Sequence, residues 1–407
     1  MYDRSILETL DYHHSMLADE VRMQSFLRAI LKAVKPGDVV LDIGSGTGIL
    51  AYFACLAGAK RVYAVEQDPL VGLAEKLCQK NGFADRVVFL NEWSDQVQLL
   101  EKVDVLITET LGNLGYEEGI LGWVIDAKER LLAPGGQIVP QTVELMVVPT
   151  ESQEAFEFLD VWQEPLFALD YSPVGEVISN NLVWDSLSPK LFLSQPASVV
   201  QSDLTLVEST DIAGDCQFTA SRDGMVHGLG CWFCSTLFPG ISITNGPPFN
   251  TPSWVQILLP LKRPFYIKAG EQIHVQIQAD NNGANWHWQA STDREEIDAN
   301  TQSTRFGQLL QEDLHIDPRM MPVRNADGEI DFSILQMMNG STGIEAIAQQ
   351  TLEKYPLQFR SFEDALLHVI SVSDYYGQRP SRQFNETAKS SNGHPTKIDI
   401  SEIMQAE

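Results

Sequence analysis

Cysteine and positive charge are both scarce in this chain. Five cysteines in 407 residues do not make a disulfide framework. Cys55 and Cys78 lie in helical patterns and Cys216 stands alone. Cys231 and Cys234 form a C-x-x-C in "HGLGCWFCSTLF", but that segment reads as a strand, where residues three apart point to opposite faces. Buried structural thiols are therefore expected, not a metal or redox pair. Basic residues number 28 against 55 acidic ones, a formal charge of −27. Such a surface repels nucleic-acid phosphates and anionic membranes and attracts cationic partners, basic peptides among them. No apolar run reaches membrane-spanning length, and "MYDRSILETLDYHHSML" at the start has no signal-peptide core, so a cytoplasmic protein is expected. Internal repeats are also absent.

What remains is a globular composition, 44% hydrophobic and 20% charged, in a chain long enough for more than one core. Apolar positions from Leu17 to Val34 recur at mostly helical spacing, so a helix precedes the first strand. From Val39 to Val148 short apolar runs alternate with helical patterns, the signature of a doubly wound, mostly parallel sheet. Beyond about residue 149, "SDLTLVES", "WVQILLPL", "IHVQIQA" and "WHWQAS" alternate with period two between Gly, Pro and Asn clusters, which predicts antiparallel barrel or sandwich. The fold class is thus α/β plus all-β. A helical segment is expected over 1–36, a Rossmann-like domain over 37–148, an antiparallel domain over 149–298, a small helical module over 299–375 and a polar tail over 376–407.

Asp42, Gly44, Gly46 and Gly48 form D-x-G-x-G-x-G where the first strand turns into a helix. Glycine permits positive φ and close backbone approach, and the helix N-terminus offers unpaired N–H groups. A dinucleotide site wants the third glycine one residue later, so the spacing weighs against a nicotinamide cofactor. Glu66 ends the second strand, where an acid can accept hydrogen bonds from both hydroxyls of a ribose. Together these resemble the S-adenosylmethionine site of class I methyltransferases.

The fourth strand ends in "VDVLITETLGNLGYEEGILGWV", with Glu109 at its C-terminal end and Glu118 beyond a glycine-containing loop. Two carboxylates flanking one pocket match the planar fork of a guanidinium, leaving its far nitrogen free to attack a sulfonium methyl. Here the sequence resembles the protein arginine methyltransferase family. Met16, Leu17, Asp19, Glu20, Val21 and Arg22 match its "ML-x-DEVR" helix, Val40 to Gly48 its first motif, and Glu109 and Glu118 its double-glutamate loop. "LLAPGGQIVP", "VHGLGCWF" and "KAGEQIHVQIQ" are similar to its later strands.

The resemblance implies a β-barrel, a homodimer formed through an arm within 165–184, S-adenosylmethionine as cofactor, and a cationic peptide or protein arginine as substrate. It implies that Arg22 pairs with the methionine carboxylate, Asp42 and Gly44 line the methionine moiety, Glu66 holds the ribose, and Ser94 and Asp95 meet the adenine edge. By itself Arg22 reads as a surface helix ion pair and Asp95 as a loop cap.

The chain departs from the family pattern in three places. "YDRSILETLDYHH" lacks the family's Tyr-Phe motif. Thr110 and Leu111 follow Glu109 where an aromatic residue and methionine are usual. The barrel loop that usually reads Thr-His-Trp reads Pro252-Ser253-Trp254, so the residue that should orient the acids is an uncharged serine. Glu117 beside Glu118 allows a one-residue slip, although Glu118 keeps the family spacing. These changes leave open a small-molecule or other peptide-nitrogen acceptor, or a cofactor-binding scaffold impaired in catalysis. His13, His14, His227 and His287 read as structural, and Trp286 with Trp288 as packing on one strand face.

"DFSILQMMNGSTGIEAIAQQTLEKYPLQFRSFEDALLHVISVS" resembles small winged-helix modules of the PqqD type, which bind peptides by adding a strand. A plain helical appendage fits equally, and DNA binding is disfavoured by the charge. Gly340 suits a helix end and Ser341 or Thr342 the next N-cap.

Overall fold

A computed structural model describes residues 6–68, 70–162, 167–248, 253–294, 301–307, 321 and 323–376. The described residues up to 307 form one unit and those from 321 onward another.

The first unit opens with two helices, α1 (Ile6–Leu17) and α2 (Glu20–Ala33). The sequence predicts one helix through Leu17; the chain instead breaks at Asp19, an N-cap whose carboxylate accepts the Arg22 N–H at 3.0 Å. That bond satisfies one of the orphan donors of the first turn. The buried face of α2 is Arg22, Phe26, Leu27, Ala29, Ile30 and Ala33.

Five strands follow: β1 (Val39–Ile43), β2 (Arg61–Val65), β3 (Val87–Leu90), β4 (Val103–Thr108) and β5 (Leu132–Val139). They form a parallel sheet in the order β3-β2-β1-β4-β5, linked by α3 (Ile49–Ala57), α4 (Val71–Lys80) and α5 (Ile120–Arg130). β1 is buried along its whole length, as a central strand covered on both faces must be. The order reverses between β1 and β4, so the crevice at their C-terminal ends is where such sheets take ligands.

With β6 (Thr142–Thr150) the chain turns antiparallel, so the boundary expected at 148–149 falls inside this strand. A six-stranded sheet contains β7 (Val183–Asp185), β12 (Gln256–Ile267), β10 (Gly224–Phe238), β6 and β8 (Ala197–Asp203) in that order, with β11 (Ile241–Thr244) paired to β10. A four-stranded sheet runs β15 (Thr301–Ser303), β14 (Asn285–Ser291), β13 (Gln272–Asp280), β9 (Ile212–Thr219). One apolar core continues from the parallel sheet into both. Trp286 and Trp288 are buried in it, and all five cysteines are free thiols. Between β6 and β7 lie α6 (Gln153–Asp160) and α7 (Ser172–Ser179); part of the expected arm, residues 165–166, is outside the described residues.

The second unit has three helices, Ala326–Met337, Ile344–Lys354 and Phe362–Tyr376, closed over Ile330, Ile334, Ile347, Phe359 and Val369. Its first turn corrects the expected cap. Gly340 takes φ +77, but Gly343 begins the second helix. The N–H and hydroxyl groups of both Ser341 and Thr342 instead close onto the Asn339 side-chain oxygen. Among the described residues of this unit all regular structure is helical, so the strand-adding reading gains no support. The expected tail from 377 onward lies outside the described residues. No described helix is long and apolar enough to cross a membrane.

Candidate active site

The glycine turn leaves β1 with the N–H groups of Gly44 and Ser45 donating to the Val65 carbonyl at 2.9 and 3.0 Å. Gly46 and Gly48 take φ +52 and +87, values that a side chain would strain. A Cβ on Gly46 would also come 2.7 Å from the His13 ring, so α1 lies directly over the turn. Glu66 accepts the N–H groups of Gly46 and Asp68, one on each oxygen, both at 2.9 Å. Beneath the turn Asp42 is fully buried and neither of its oxygens has an ordinary hydrogen-bond partner. Burial pushes its carboxyl up to about 7, against a weaker opposing pull from the Ala51 backbone N–H.

Glu109 follows β4 directly, at the same crevice. The loop after it is held by its own acid: Glu117 accepts the N–H groups of Asn113 and Leu114 at 2.8 and 2.7 Å. Burial outweighs those bonds and raises the Glu117 carboxyl to about 7. The adjacent acid, Glu118, is exposed to solvent, yet the protein packed around it desolvates its carboxyl and raises it above the usual carboxylate range, with Arg22 pulling the other way.

The antiparallel half grips this loop from several sides. The Tyr116 hydroxyl donates to the Val143 carbonyl at 2.8 Å. The Asn245 amide donates to the Asn113 carbonyl at 2.9 Å, and the Val255 N–H donates to the Asn113 side chain at 3.0 Å. The acid loop is therefore shaped by strands far away in sequence.

Arg22 pairs directly with the first of the two acids. Its guanidinium makes an ion pair with Glu109, with side chains only 5% and 12% exposed, stacks 4.2 Å over the Trp254 ring, and meets the Met16 sulfur at 3.3 Å. The Arg22 Nε is buried without a partner. Burial lowers the guanidinium to about 10, against the opposing influence of Tyr12, Glu118 and Asp19, so it stays charged at neutral pH. Arg22 is thus no surface ion pair. Trp254 is itself buried edge-on against Phe233, ring centroids 5.1 Å apart.

Ser253 is placed differently from expectation. Its hydroxyl donates to the second oxygen of Asp19 at 2.6 Å, so it braces the cap of α2. Pro252 lies outside the described residues. Ser94 is buried and Asp95 exposed, in a loop whose Ser94 and Val97 carbonyls both accept from Arg130 at 2.8 Å. Beside it Trp93 and Trp123 stack at 6.1 Å.

Two further residues lie near the site: Asp19, which the sequence presents only within the helix motif, and His13, which by itself reads as structural. The left-handed Gly46 beneath the His13 ring has no sequence signature that pairs it with that histidine.

Comparison with known proteins bears on the arrangement. Residues 141–292 match the profile "Arginine methyltransferase oligomerization subdomain" and residues 23–140 match "Ribosomal protein L11 methyltransferase (PrmA)". Protein arginine N-methyltransferase 6 of Xenopus laevis is 33% identical over 276 residues, covering 64% of this chain and 81% of that protein. The chain belongs to the protein arginine methyltransferase family. A probable histone-arginine methyltransferase 1.3 of Arabidopsis thaliana is 32% identical over 283 residues, 64% of this chain and 52% of the plant protein. Among solved structures, a Trypanosoma brucei PRMT1 enzyme-prozyme heterotetrameric complex with AdoHcy superposes with TM-score 0.66 at 24% identity, over 72% of this chain and 96% of that one. Arabidopsis thaliana protein arginine methyltransferase 10 gives 0.61 at 21%, over 73% and 99%. This arginine methyltransferase is accordingly an S-adenosylmethionine-dependent transferase with a parallel-sheet domain and an antiparallel one.

Proposed function

We propose that this enzyme methylates the guanidinium of an arginine in a cationic peptide or protein, with Glu109 and Glu118 as the groups that hold it. The observation that carries this reading is the buried ion pair of Glu109 with the Arg22 guanidinium, whose charge also acts on Glu118. One internal cation against two carboxylates leaves negative charge for a second cation, and planar forks suit carboxylates bidentately. Held by its near nitrogens, the substrate keeps charge there and presents a more electron-rich far nitrogen. Glu118, raised by the desolvating protein around it, or a water takes the proton released on transfer.

The residues fit the cofactor. Asp42, buried without a hydrogen-bond partner, suits an amino-group donor. Glu66 uses one acceptor site on each oxygen, and a carboxylate has about four, which leaves capacity for ribose hydroxyls. Arg22 suits the methionine carboxylate, the left-handed Gly44, Gly46 and Gly48 allow close approach, and the Ser94–Asp95 loop suits the adenine edge. When bound, S-adenosylmethionine supplies a methyl group activated by positively charged sulfur.

The test is incubation with methyl-labelled cofactor and a basic peptide in matched arginine and lysine versions. Label only on the arginine version is expected. Label on both versions, or on the lysine one alone, would shift the acceptor to another nitrogen. Cofactor binding without labelling would favour a scaffold.

Finer assignments follow the same reading. The domains follow the order expected from sequence, with the antiparallel domain starting at β6 instead of at 149, and the two antiparallel sheets are the sides of a barrel. A homodimer forms through 165–184, where Phe167 is 98% and Leu169 59% exposed; deleting that segment should give monomers by light scattering, and an unchanged dimer mass would refute the arm. Five unpaired thiols suit the reducing cytoplasm, and the acidic charge suits neither nucleic acid nor membrane partners.

A further inference from the structure

Glu118 is followed by a helix start that has no cap of its own. Gly119, the N-cap of α5, takes φ +77 and offers no side chain. Gly112 and Gly115 earlier in the loop are also left-handed, at φ +64 and +87, so the backbone around the acid is intrinsically permissive.

What fixes it comes from the turn between β13 and β14. Asn282 there takes φ 56 and ψ 41, and both ends of its carboxamide reach the first turn of α5. Its oxygen accepts the Gly122 N–H at 3.1 Å and its nitrogen donates to the Gly119 carbonyl at 2.9 Å. The fit is close on every side. A Cβ on Gly119 or Gly122 would come 2.8 or 2.5 Å from the Asn282 amide, and a Cβ on Gly283 would come 2.2 Å from the Tyr116 carbonyl. The Trp123 indole N–H donates to the Glu118 carbonyl at 2.8 Å. The two peptide units that follow Glu118, Glu118–Gly119 and Gly119–Ile120, are thereby held by side chains from outside the loop.

We propose that Asn282 is a positioning residue for methyl transfer, a cap supplied by the antiparallel domain that fixes where Glu118 presents its carboxylate. The inference rests on the reading that Glu118 holds the substrate guanidinium. Its physical basis is leverage: a displacement of about 1 Å in a positioning group can cost on the order of a hundredfold in rate, and the loop's glycines resist no such displacement.

Asn282→Gly tests it, because glycine keeps the left-handed backbone and removes only the carboxamide. The expected result is a kcat per cofactor-binding site lower by about tenfold or more, with cofactor stoichiometry and affinity by calorimetry within about twofold of the parent. Asn282→Asp retains the acceptor for Gly122 and loses the donor for Gly119, and should recover part of the loss. A role in folding alone would lower the melting temperature and the fraction of binding-competent protein while leaving kcat per site unchanged; that outcome overturns the proposal. Glu118→Gln is run in parallel. If it is inactive while Asn282→Gly turns over like the parent, the positioning role alone fails. If Glu118→Gln is fully active, the reading beneath it fails too.

Discussion

Replacing Glu118 with glutamine should lower turnover of an arginine peptide by on the order of a hundredfold or more, while cofactor affinity stays within about twofold. Glutamine has the shape of the native side chain and lacks its charge, so the substrate fork loses a charge-assisted partner where desolvation makes such a partner strongest. Nothing on the glycine-turn side of the crevice depends on Glu118: Glu66 is tied to Gly46 and Asp68, and Asp42 lies beneath the sheet end. Steady-state kinetics and calorimetry on the same preparation check both halves of the expectation.

The pH profile sharpens that result. Glu118 must be ionised to hold a cation, and desolvation by the protein packed around it raises its carboxyl above the usual range against the opposing pull of Arg22. The rate should therefore rise with pH through the raised value and level off above it. In Glu118→Gln the residual rate should lose that rise. A rise persisting near pH 7 would assign it to Glu117 or Asp42, each pushed up to about 7 by burial.

Features carried by local sequence are legible in the sequence itself. The glycine turn, Glu66 and the placement of Glu109 at a strand end follow from spacing within one strand–helix–strand unit, and the alternation of runs dictates the parallel sheet. The break at Asp19 was not legible, because Leu17 and Val21 keep helical phase with the apolar residues after them. In the folded chain both face solvent, 42% and 61% exposed, so their apolar character misled the periodicity.

Long-range pairings were equally hidden. Ser253 and Asp19 are 234 residues apart, and Asn282 and Gly122 are 160 apart; no pattern in either segment indicates its partner. The neighbouring acids Glu117 and Glu118 differ only by which backbone amides lie beside them, and that is decided by how Asn113 and Leu114 turn. The Asp19 link also limits what the missing histidine means. A serine at 253 still joins the antiparallel domain to the cap of α2, so the connection survives although its charge does not.

Arg22→Met should have the second large effect, on two quantities at once. It removes the cation that Glu109 is buried against, and breaking a buried pair by deleting one partner costs about 3 kcal/mol or more of folding stability, because the remaining charge is left uncompensated. It also removes the group that suits the cofactor carboxylate, so affinity should fall below detection by calorimetry. The two losses separate in the double variant Arg22→Met/Glu109→Gln. With neither charge present the burial penalty disappears, and denaturant unfolding should return most of the stability; cofactor binding should not return, since nothing in the double variant supplies a cation. Restored binding in the double variant would mean that Arg22 serves the fold alone and that the carboxylate is held elsewhere. Stability that stays low despite removal of both charges would assign the loss to the guanidinium's stacking on Trp254 and its contact with Met16, which methionine does not reproduce.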